Sequence, residues 1–211
     1  MALDLSASAK IIQPAQSGRA GSLAAALAAL GQAAYGLDGC PACQGAAICA
    51  PGLPVLGADA RPVAPAALAA VADPVLDALH LQLVQVDGTC AAAEDVAVPA
   101  LMLRAGLLGR ILDLAHAHLK GRASMGRKTL SHQLVKVGFA DAYGTLRLIS
   151  ETAQLRAESG DMAGLAEDHA RLTAATIEAE KLMGGHGYLI GGTHPIGYLS
   201  MLLHVIYGPR Q

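Results

Sequence analysis

Tryptophan is absent from this 211-residue chain, phenylalanine occurs once, and aromatic residues make up only 3% of the sequence. Charged residues are also scarce, at 15%, whereas hydrophobic residues reach 53%. A core with so few aromatic side chains must be built mostly from Ala, Leu, Val and Ile, which suits closely packed helices. The length allows one domain with a partial second.

An excess of charge of either sign is also missing. Lys and Arg together number 15 and Asp and Glu 17, which gives a formal net charge of −2 and a pI of about 6.4. Basic residues do not cluster with aromatic ones, so the sequence excludes nucleic acid as an expected partner. The mean hydropathy of +0.41 is high for a chain of this size, and it predicts that part of the surface contacts another subunit.

Long hydrophobic runs are lacking as well. The segment from Met1 to Pro14 has one lysine and no apolar run of the kind found in signal peptides. The most apolar later stretch, Ser22 to Leu37, falls short of the roughly 20 apolar residues that a membrane span needs. We therefore expect a cytoplasmic protein with no membrane partner.

Cysteine occurs four times, at Cys40, Cys43, Cys49 and Cys90. The first two have the two-residue spacing of a zinc site, but no second pair completes a tetrahedral set. We expect no metal and interpret these residues as buried or loop thiols, with a zinc or iron–sulfur site as the alternative.

The first part of the chain carries much of its Gly, Pro and Ala. Residues 1–64 are expected to be irregular apart from one helix near Ser22 to Tyr35, and residues 65–76 could add a short helix. Residues 79–86 alternate apolar and polar side chains before Asp87-Gly88, which predicts a strand that runs into a turn.

Helical spacing begins at about Val98, where apolar residues recur at steps of three and four, and this first helix should end near Gly121. A second helix is predicted over 130–158, a third from an N-cap at Asp161 to Met183, and a fourth after Pro195. The pattern predicts a mainly α protein with an antiparallel four-helix bundle, preceded by a short partial β segment. We expect residues 1–96 to form an irregular N-terminal region with a helix and a β remnant, and residues 97–211 to form the bundle.

Four short motifs then occur in order along these helices. The run Arg122-Ala-Ser124-Met125-Gly126 is followed by His132-Gln133, eleven residues from Arg to Gln, and Gly106 lies sixteen residues before Arg122. Ala140-Asp141 follows on the second helix, and Gly184-Gly185-His186-Gly187-Tyr188 follows the third. Over roughly residues 79–205 this arrangement resembles the C-terminal helical domain of the acyl-CoA dehydrogenase family with part of its middle β domain. The N-terminal helical domain of the family is expected to be absent.

The resemblance implies a role in binding FAD, which in this family lies at a subunit interface. Arg122 would contact the pyrophosphate, Ser124 and Gln133 would add polar contacts, and the backbone of Gly184 and Gly185 would approach closely. Met125 stands where the family usually has an aromatic residue, and Lys181 stands where it has a glutamine that contacts the cofactor. Taken without the resemblance, Arg122 could simply oppose a helix dipole and Gln133 could be an ordinary surface residue. His116 and His118 point to different faces of their helix and are expected to be solvated or core histidines.

The family removes the α-proton of an acyl thioester with a glutamate while the flavin accepts a hydride. At the commoner position of that glutamate this chain reads Tyr207-Gly208-Pro209, and at the alternative position it has Val96. Glu94, two residues away, is a weak candidate for the base. The last helix has also lost the charge usual in the family, which suggests that its apolar residues are buried against a partner, namely Tyr198, Leu199, Leu202 and Leu203.

These departures favour a small subunit of a heteromeric FAD-dependent acyl-CoA dehydrogenase. A longer homologue would supply the base, while this chain would complete the flavin site and act on acyl-CoA or acyl-carrier thioesters through the complex. Two alternatives stay open: a self-sufficient small flavin dehydrogenase, in which the partner is a second copy, and a flavin-free scaffold used for assembly.

Overall fold

A computed structural model describes residues 5–57, 59–87, 93–189 and 192–209. Seven α-helices account for most of the described chain: α1 Leu5–Ala20, α2 Leu23–Tyr35, α3 Pro74–Ala78, α4 Ala93–Lys120, α5 Gln133–Ser159, α6 Leu165–Lys181 and α7 His194–Tyr207. Eight short strands complete the fold: β1 Cys40–Pro41, β2 Ala46–Cys49, β3 Val55–Leu56, β4 Pro62–Val63, β5 Ala69–Val71, β6 Gln82–Gln85, β7 Ala123–Ser124 and β8 Arg127–Lys128.

Helix α4 forms the centre of the molecule. Every residue from Val96 to Gly109 is buried, and the helix contacts α1, α2, α5, α6 and α7. The four helices α4 to α7 form the mainly α bundle that the sequence predicts, so the fold class is confirmed. The division of the chain at residues 96 and 97 stays a prediction.

The N-terminal region is more helical than expected. Residues 5–20 were expected to be irregular, but they form α1, which packs along α4. Its buried residues Ile11, Pro14 and Gly18 recur at steps of three and four, a helical period that the Pro, Ser and Gly of the segment obscure. The predicted helix near Ser22 to Tyr35 is confirmed as α2.

Helices α1 and α4 approach each other closely at glycine. A Cβ atom on Gly106 would lie 2.9 Å from the Cα of Ala15, and one on Gly18 would lie 2.9 Å from the carbonyl oxygen of Leu103. Gly106 therefore allows the close packing of these two helices. A double contact, in which Arg19 Nε and Nη2 donate to the Asp113 carboxylate at 2.7 and 2.8 Å, joins the same two helices nearer the surface.

Two small three-stranded sheets lie between α2 and α4 in sequence. One has the order β1-β3-β4, and the other has the order β2-β6-β5 with antiparallel pairing throughout. The predicted strand over 79–86 is present only as β6, because Leu79 ends α3 and His80 turns the chain with a φ of 56°. The short helix expected over 65–76 is instead a 3₁₀ turn at Pro65–Ala67, then β5 and α3.

The bundle helices differ from the predicted bounds mainly at their N-termini. Helix α4 already begins at Ala93, before the predicted start at Val98, whereas α5 begins at Gln133 and ends before Gly160 as expected. Asp161 does not cap α6. Its carboxylate accepts a hydrogen bond from the nitrogen of Ala163, and the left-handed Gly164, with a φ of 76°, delays the helix to Leu165.

Helix α7 joins the bundle to the sheets. The Tyr207 hydroxyl donates to the carbonyl oxygen of Pro41 at 2.8 Å and accepts from the nitrogen of Ile48 at 3.2 Å, and burial raises its pKa. Leu199 and Leu203 are buried within this chain, so the expectation that a partner buries them is wrong. Tyr198 and Leu202 are half-buried, and the Tyr198 hydroxyl donates to Asp73.

Cys40, Cys43 and Cys49 are all buried, which confirms the buried-thiol interpretation for these three, while Cys90 lies outside the described residues. Burial raises the pKa of Cys40 to about 12 and also raises that of Cys49, so these groups stay protonated thiols. Within the described ranges, no group of three or more His, Cys, Asp or Glu side chains is arranged to hold a metal ion. Across the same ranges, no helix combines the length and apolar character needed to cross a membrane.

Candidate functional site

The predicted cofactor residues gather at one end of the bundle, where α4 ends, α5 begins and α6 ends. The connection after α4 folds back on itself, because the nitrogen of Thr129 donates to the carbonyl oxygen of Arg122 at 2.9 Å. The ring of His132, the N-cap residue of α5, donates from Nε2 to the carbonyl oxygen of Ser124 at 3.1 Å. These two bonds hold Arg122 and Ser124 beside the first turn of α5, where Gln133 lies.

A tight hairpin presents this connection to solvent. Strands β7 and β8 pair Ala123 with Lys128 and Ser124 with Arg127, and the two-residue turn has positive φ angles of 50° at Met125 and 74° at Gly126. Two positive φ values are the requirement of a type I′ hairpin turn, which Gly126 meets readily and Met125 at a cost. Met125 is 93% exposed and projects from the tip.

Positive charge dominates the hairpin. Arg122, Arg127 and Lys128 are all exposed, and across the described residues no ion pair includes any of them. A guanidinium stays charged at every physiological pH and can donate two parallel hydrogen bonds to phosphate oxygens. The hydroxyl of Ser124, also exposed, offers a further donor.

The glycine-rich segment lies at the same end as a 3₁₀ helix, Gly184–Tyr188. Its His186 ring is 5.0 Å from the ring of His118, which belongs to the last turn of α4, so the segment is adjacent to the residues that precede Arg122. Gly184 has a φ of 57°, and a Cβ on Gly184 or Gly185 would have no other atom within 4 Å. The backbone here is therefore open to close approach by a ligand.

Lys181, the last residue of α6, lies at the same end but is held in an ion pair. Its Nζ lies 2.6 Å from Glu178 Oε1 on the same helix, in an exposed pair. Both residues border a groove of about 580 Å³ between α5 and α6, which also contains apolar side chains such as Leu134, Val137 and Leu182. Of the predicted site residues, the structure thus brings six together at one end of the bundle and places Lys181 in the adjoining groove; the six are Arg122, Ser124, Met125, Gln133, Gly184 and Gly185.

The positions considered for a catalytic base differ in what they allow. Val96 is fully buried in the core, so the alternative family position does not face a site in this chain. Glu94 lies in the first turn of α4, but its side chain is outside the described part of the structure. At the commoner position, a Cβ on Gly208 would lie 2.5 Å from Cδ2 of the His204 ring, so this imidazole fills the space beside the glycine.

A buried polar network in the bundle was missed by sequence reasoning. Arg104 is fully buried in the middle of α4 and donates to Ser200 Oγ at 3.2 Å, Thr173 Oγ1 at 2.6 Å and His169 Nδ1 at 2.8 Å. Because His169 Nδ1 accepts, its Nε2 carries the proton and donates to the carbonyl oxygen of Ala97 at 3.1 Å. The signal available in the sequence was a single arginine in an otherwise apolar helical stretch.

Burial and neighbouring charge keep this network in one protonation state. Desolvation lowers the pKa of His169 to about 3, with a further contribution from Arg104, so the ring is neutral at physiological pH. Desolvation also lowers the pKa of Arg104, to about 9, which still leaves it charged. The network joins α4, α6 and α7 and therefore positions the helices that lead to the candidate site.

Sequence reasoning also missed the pair of Glu180 and His194, which lies beside the glycine-rich segment. Glu180 is nearly buried at the end of α6, 3.4 Å from the ring Nδ1 of His194. Burial raises the pKa of this carboxyl, and His194 opposes that effect. Glu180 is therefore a carboxyl group that lies close to the predicted site and has a raised pKa.

Comparison with solved structures shows the fold. A chain of the steroid acyl-CoA dehydrogenase Tcur3481-Tcur3483, solved as a variant, superposes with a TM-score of 0.52 at 16% identity, over 81% of this chain and 58% of that chain. A chain of the ChsE4-ChsE5 complex from Mycobacterium tuberculosis gives a TM-score of 0.47 at 15% identity, over 65% and 44% of the two chains. The electron transferring flavoprotein of Acidaminococcus fermentans gives 0.47 at 15% identity, over 61% and 41%.

No protein-family profile and no curated protein matches the sequence. The likeness to the steroid acyl-CoA dehydrogenase establishes an acyl-CoA dehydrogenase-like fold. It extends beyond the bundle, because α4 to α7 make up little more than half of the chain. This chain spans less than two thirds of the length of each of the three solved chains.

The donor set of the hairpin fits a pyrophosphate. An exposed guanidinium with no ion-pair partner among the described residues, a neighbouring hydroxyl and open glycine backbone are the groups that bind phosphate oxygens in proteins. All of these groups lie on the surface, so they are accessible to a nucleotide.

Proposed function

We propose that this chain is the small subunit of a heteromeric FAD-dependent acyl-CoA dehydrogenase. It completes the flavin site across a subunit interface, and a longer homologue supplies the catalytic base. The observation that carries the proposal is the convergence of Arg122, Ser124 and Gln133 on one exposed connection, in a chain with an acyl-CoA dehydrogenase-like fold.

Each residue of the connection has a separate task in this proposal. Arg122 binds the pyrophosphate through its guanidinium, and Ser124 donates a hydrogen bond to the same group. Gln133 adds a polar contact from the first turn of α5, while the backbone of Gly184 and Gly185 allows the nucleotide to approach closely. When bound, FAD would accept the hydride from the acyl substrate.

The partner supplies what this chain lacks. Neither family position of the glutamate is acidic here, and Val96 is buried in the core. The longer homologue would therefore provide the base and the acyl-binding surface for a coenzyme A or carrier-protein thioester. In a self-sufficient enzyme, a relocated carboxylate such as Glu94 would have to take over, and two copies of this chain would form the site.

Helix α5 favours assembly with another chain. Leu134, Leu148 and Leu155 are exposed along it, at 86%, 44% and 63%, and such side chains are usually covered in a stable complex. A flavin-free scaffold would share this feature, so the flavin itself decides between the two functions.

Co-expression with a longer acyl-CoA dehydrogenase homologue from the same organism tests the proposal. We expect a yellow complex with the absorption spectrum of FAD, and no flavin on this chain expressed alone. Colour on the chain alone would support the self-sufficient enzyme, and a colourless complex would support the scaffold.

Arg122→Ala then tests the site within the complex. Loss of one charge-assisted hydrogen-bonding group removes about 1.5–3 kcal/mol, which corresponds to roughly ten- to hundredfold weaker FAD binding. Arg147→Ala is the matched control, because this exposed arginine lies on α5 about 21 Å from Gln133 along the helix. Equal FAD affinity in the two variants, with unchanged helical content, would remove Arg122 from the cofactor site.

A further inference from the structure

Two imidazoles face each other at the end of the bundle, next to the proposed phosphate-binding group. His118 lies in the last turn of α4 and His186 in the 3₁₀ helix Gly184–Tyr188, and their ring centroids are 5.0 Å apart at an interplanar angle of 47°. Arg122 lies two residues beyond the end of α4, and its nitrogen donates to the carbonyl oxygen of Leu119 at 3.1 Å, which keeps the chain against the last turn that carries His118. Neither histidine has a role in the function proposed above.

The surroundings of this pair are basic. Within the described ranges, no carboxylate forms a hydrogen bond or an ion pair with His118 or His186. Desolvation lowers the pKa of His118 below its ordinary value, and the charges of Arg122 and His186 lower it further. The ionisable groups on the adjoining elements include Lys120 on α4, Arg127 and Lys128 on the hairpin, and His132 and Lys136 at the start of α5. At the α6–α7 end, Lys181 is paired with Glu178 and Glu180 with His194.

An anion at Arg122 would reverse this balance. The positive charge of Arg122 opposes protonation of His118 in the empty site, because like charges repel. A bound phosphate cancels the charge of Arg122 and offers oxygens that accept hydrogen bonds from protonated imidazole. Anion binding and proton binding at the two rings should therefore strengthen each other.

We propose that His118 and His186 are proton-linked ligands of the phosphate group that Arg122 binds, so that the bundle end takes up a proton when it binds the anion. The identity of this phosphate as the pyrophosphate of FAD rests on the proposed function. The linkage itself rests only on the arrangement of the two rings and Arg122, and any phosphate or sulfate ester of similar size would share it.

Imidazole NMR of the full chain tests the linkage without flavin. Sulfate is the probe, because it is fully ionised across the range in which histidine titrates. We expect sulfate to raise the pKa of both His118 and His186, and we expect Arg122→Gln to raise the pKa of His118 in the absence of sulfate and to remove the response to the anion. His116, on the same helix but packed against Phe139, is the internal reference and should not respond.

Two results of this titration would overturn the proposal. One is that sulfate leaves both rings unchanged, and the other is that it shifts His116 as strongly as His118, since a response of all histidines reports ionic strength alone. Titration of His118→Gln and His186→Gln separately then shows whether each ring responds through the other.

The flavin complex tests the assignment to FAD. If protonation of one ring is coupled by about one pKa unit, FAD should bind about three- to sixfold more tightly at pH 6 than at pH 8. The double variant His118→Gln with His186→Gln should lose this dependence, while His116→Gln keeps it. A pH dependence that persists in the double variant would overturn the proposal. The FAD site would still be supported if Arg122→Ala weakens FAD binding. If sulfate shifts the rings but no complex binds FAD, the anion site is upheld and the proposed function fails.

Discussion

Helices α4 and α5 are nearly equal in length, at 28 and 27 residues, but the molecule uses them in opposite ways. Helix α4 is buried continuously from Val96 to Gly109, whereas α5 buries only Ala142, Ile149 and Ala153. The first is surrounded by other helices, and the second contacts the bundle along one narrow side.

The difference separates α4, which the fold of this chain requires, from α5, whose outer side is available to another chain. Helix α4 supplies the core and holds the Arg104 network, so its sequence is constrained from all sides. Helix α5 has apolar residues on its outer side as well, which its own fold does not require. The candidate flavin site lies where these two helices meet, at the end of α4 and the start of α5.

The largest expected effect comes from matched leucine truncations on the two helices. Leu107→Ala on α4 removes a fully buried side chain and should lower the free energy of unfolding by about 2–5 kcal/mol. Leu155→Ala on α5, where the side chain is 63% exposed, should change it by no more than about 0.5 kcal/mol. Urea denaturation of both variants gives the comparison. A large loss from Leu155→Ala in the purified chain would mean that α5 is already covered in solution.

Acid should destabilise the buried network that Arg104 of α4 forms with His169. The pKa of His169 is about 3 in the folded chain and near 6.5 in an unfolded one, so the unfolded state binds the proton first as pH falls. Stability from this group is complete above pH 6.5 and is lost progressively as pH falls toward 3, and about 2 kcal/mol of it should be gone at pH 5. Unfolding at pH 7 and pH 5 should show this loss in the natural chain but not in His169→Gln. The same pH dependence in both proteins would assign the loss to other groups.

Glycine to alanine substitutions should have opposite signs on the two helices. Gly106→Ala on α4 forces a Cβ against the backbone of Ala15 and should destabilise the chain by about 1–3 kcal/mol. Gly144→Ala on α5 meets no atom within 4 Å and should stabilise it by about 0.5–1 kcal/mol, since alanine is the better helix former. Thermal unfolding of the pair measures both. A destabilising Gly144→Ala would indicate a close helix contact on the outer side of α5.

The bundle could be predicted because its signals are local. Apolar spacing, Gly160 after α5 and Pro195 at the start of α7 mark helices in the sequence, and they gave the correct order and number of bundle helices. Helix α1 could not be predicted in this way, because Pro14 and Gly18 obscure its pattern and its stability depends on contact with α4. The apolar residues of α7 were assigned to a partner because the sequence does not show that α4 and α6, with α3 and β2, cover them.

The candidate site was predictable as a set of residues but not as a surface. Spacing placed Arg122, Ser124 and Gln133 around one helix connection, and the structure has them there. It could not indicate the hairpin that exposes them or the pairing of Lys181 with Glu178, since both depend on backbone and rotamer choices. The network around Arg104 depends on contacts between residues nearly 100 positions apart, which no local pattern reveals.

The smallest effect is expected from the charges on the outer side of α5. Arg147 and Glu151 form an ion pair at 2.6 Å with side chains 79% and 56% exposed, and pairs of this kind at i and i+4 contribute about 0.3–0.5 kcal/mol. Glu151→Gln should therefore lower the free energy of unfolding by that amount or less at low ionic strength. The effect should vanish in about 1 M salt, where charges on exposed side chains are screened within about 3 Å. A loss above about 1 kcal/mol that persists in salt cannot come from a solvated pair, because the water around exposed side chains weakens the attraction. Such a result would place Glu151 in an interface, and repeating the measurement over a range of protein concentrations would show whether a second copy of this chain forms it.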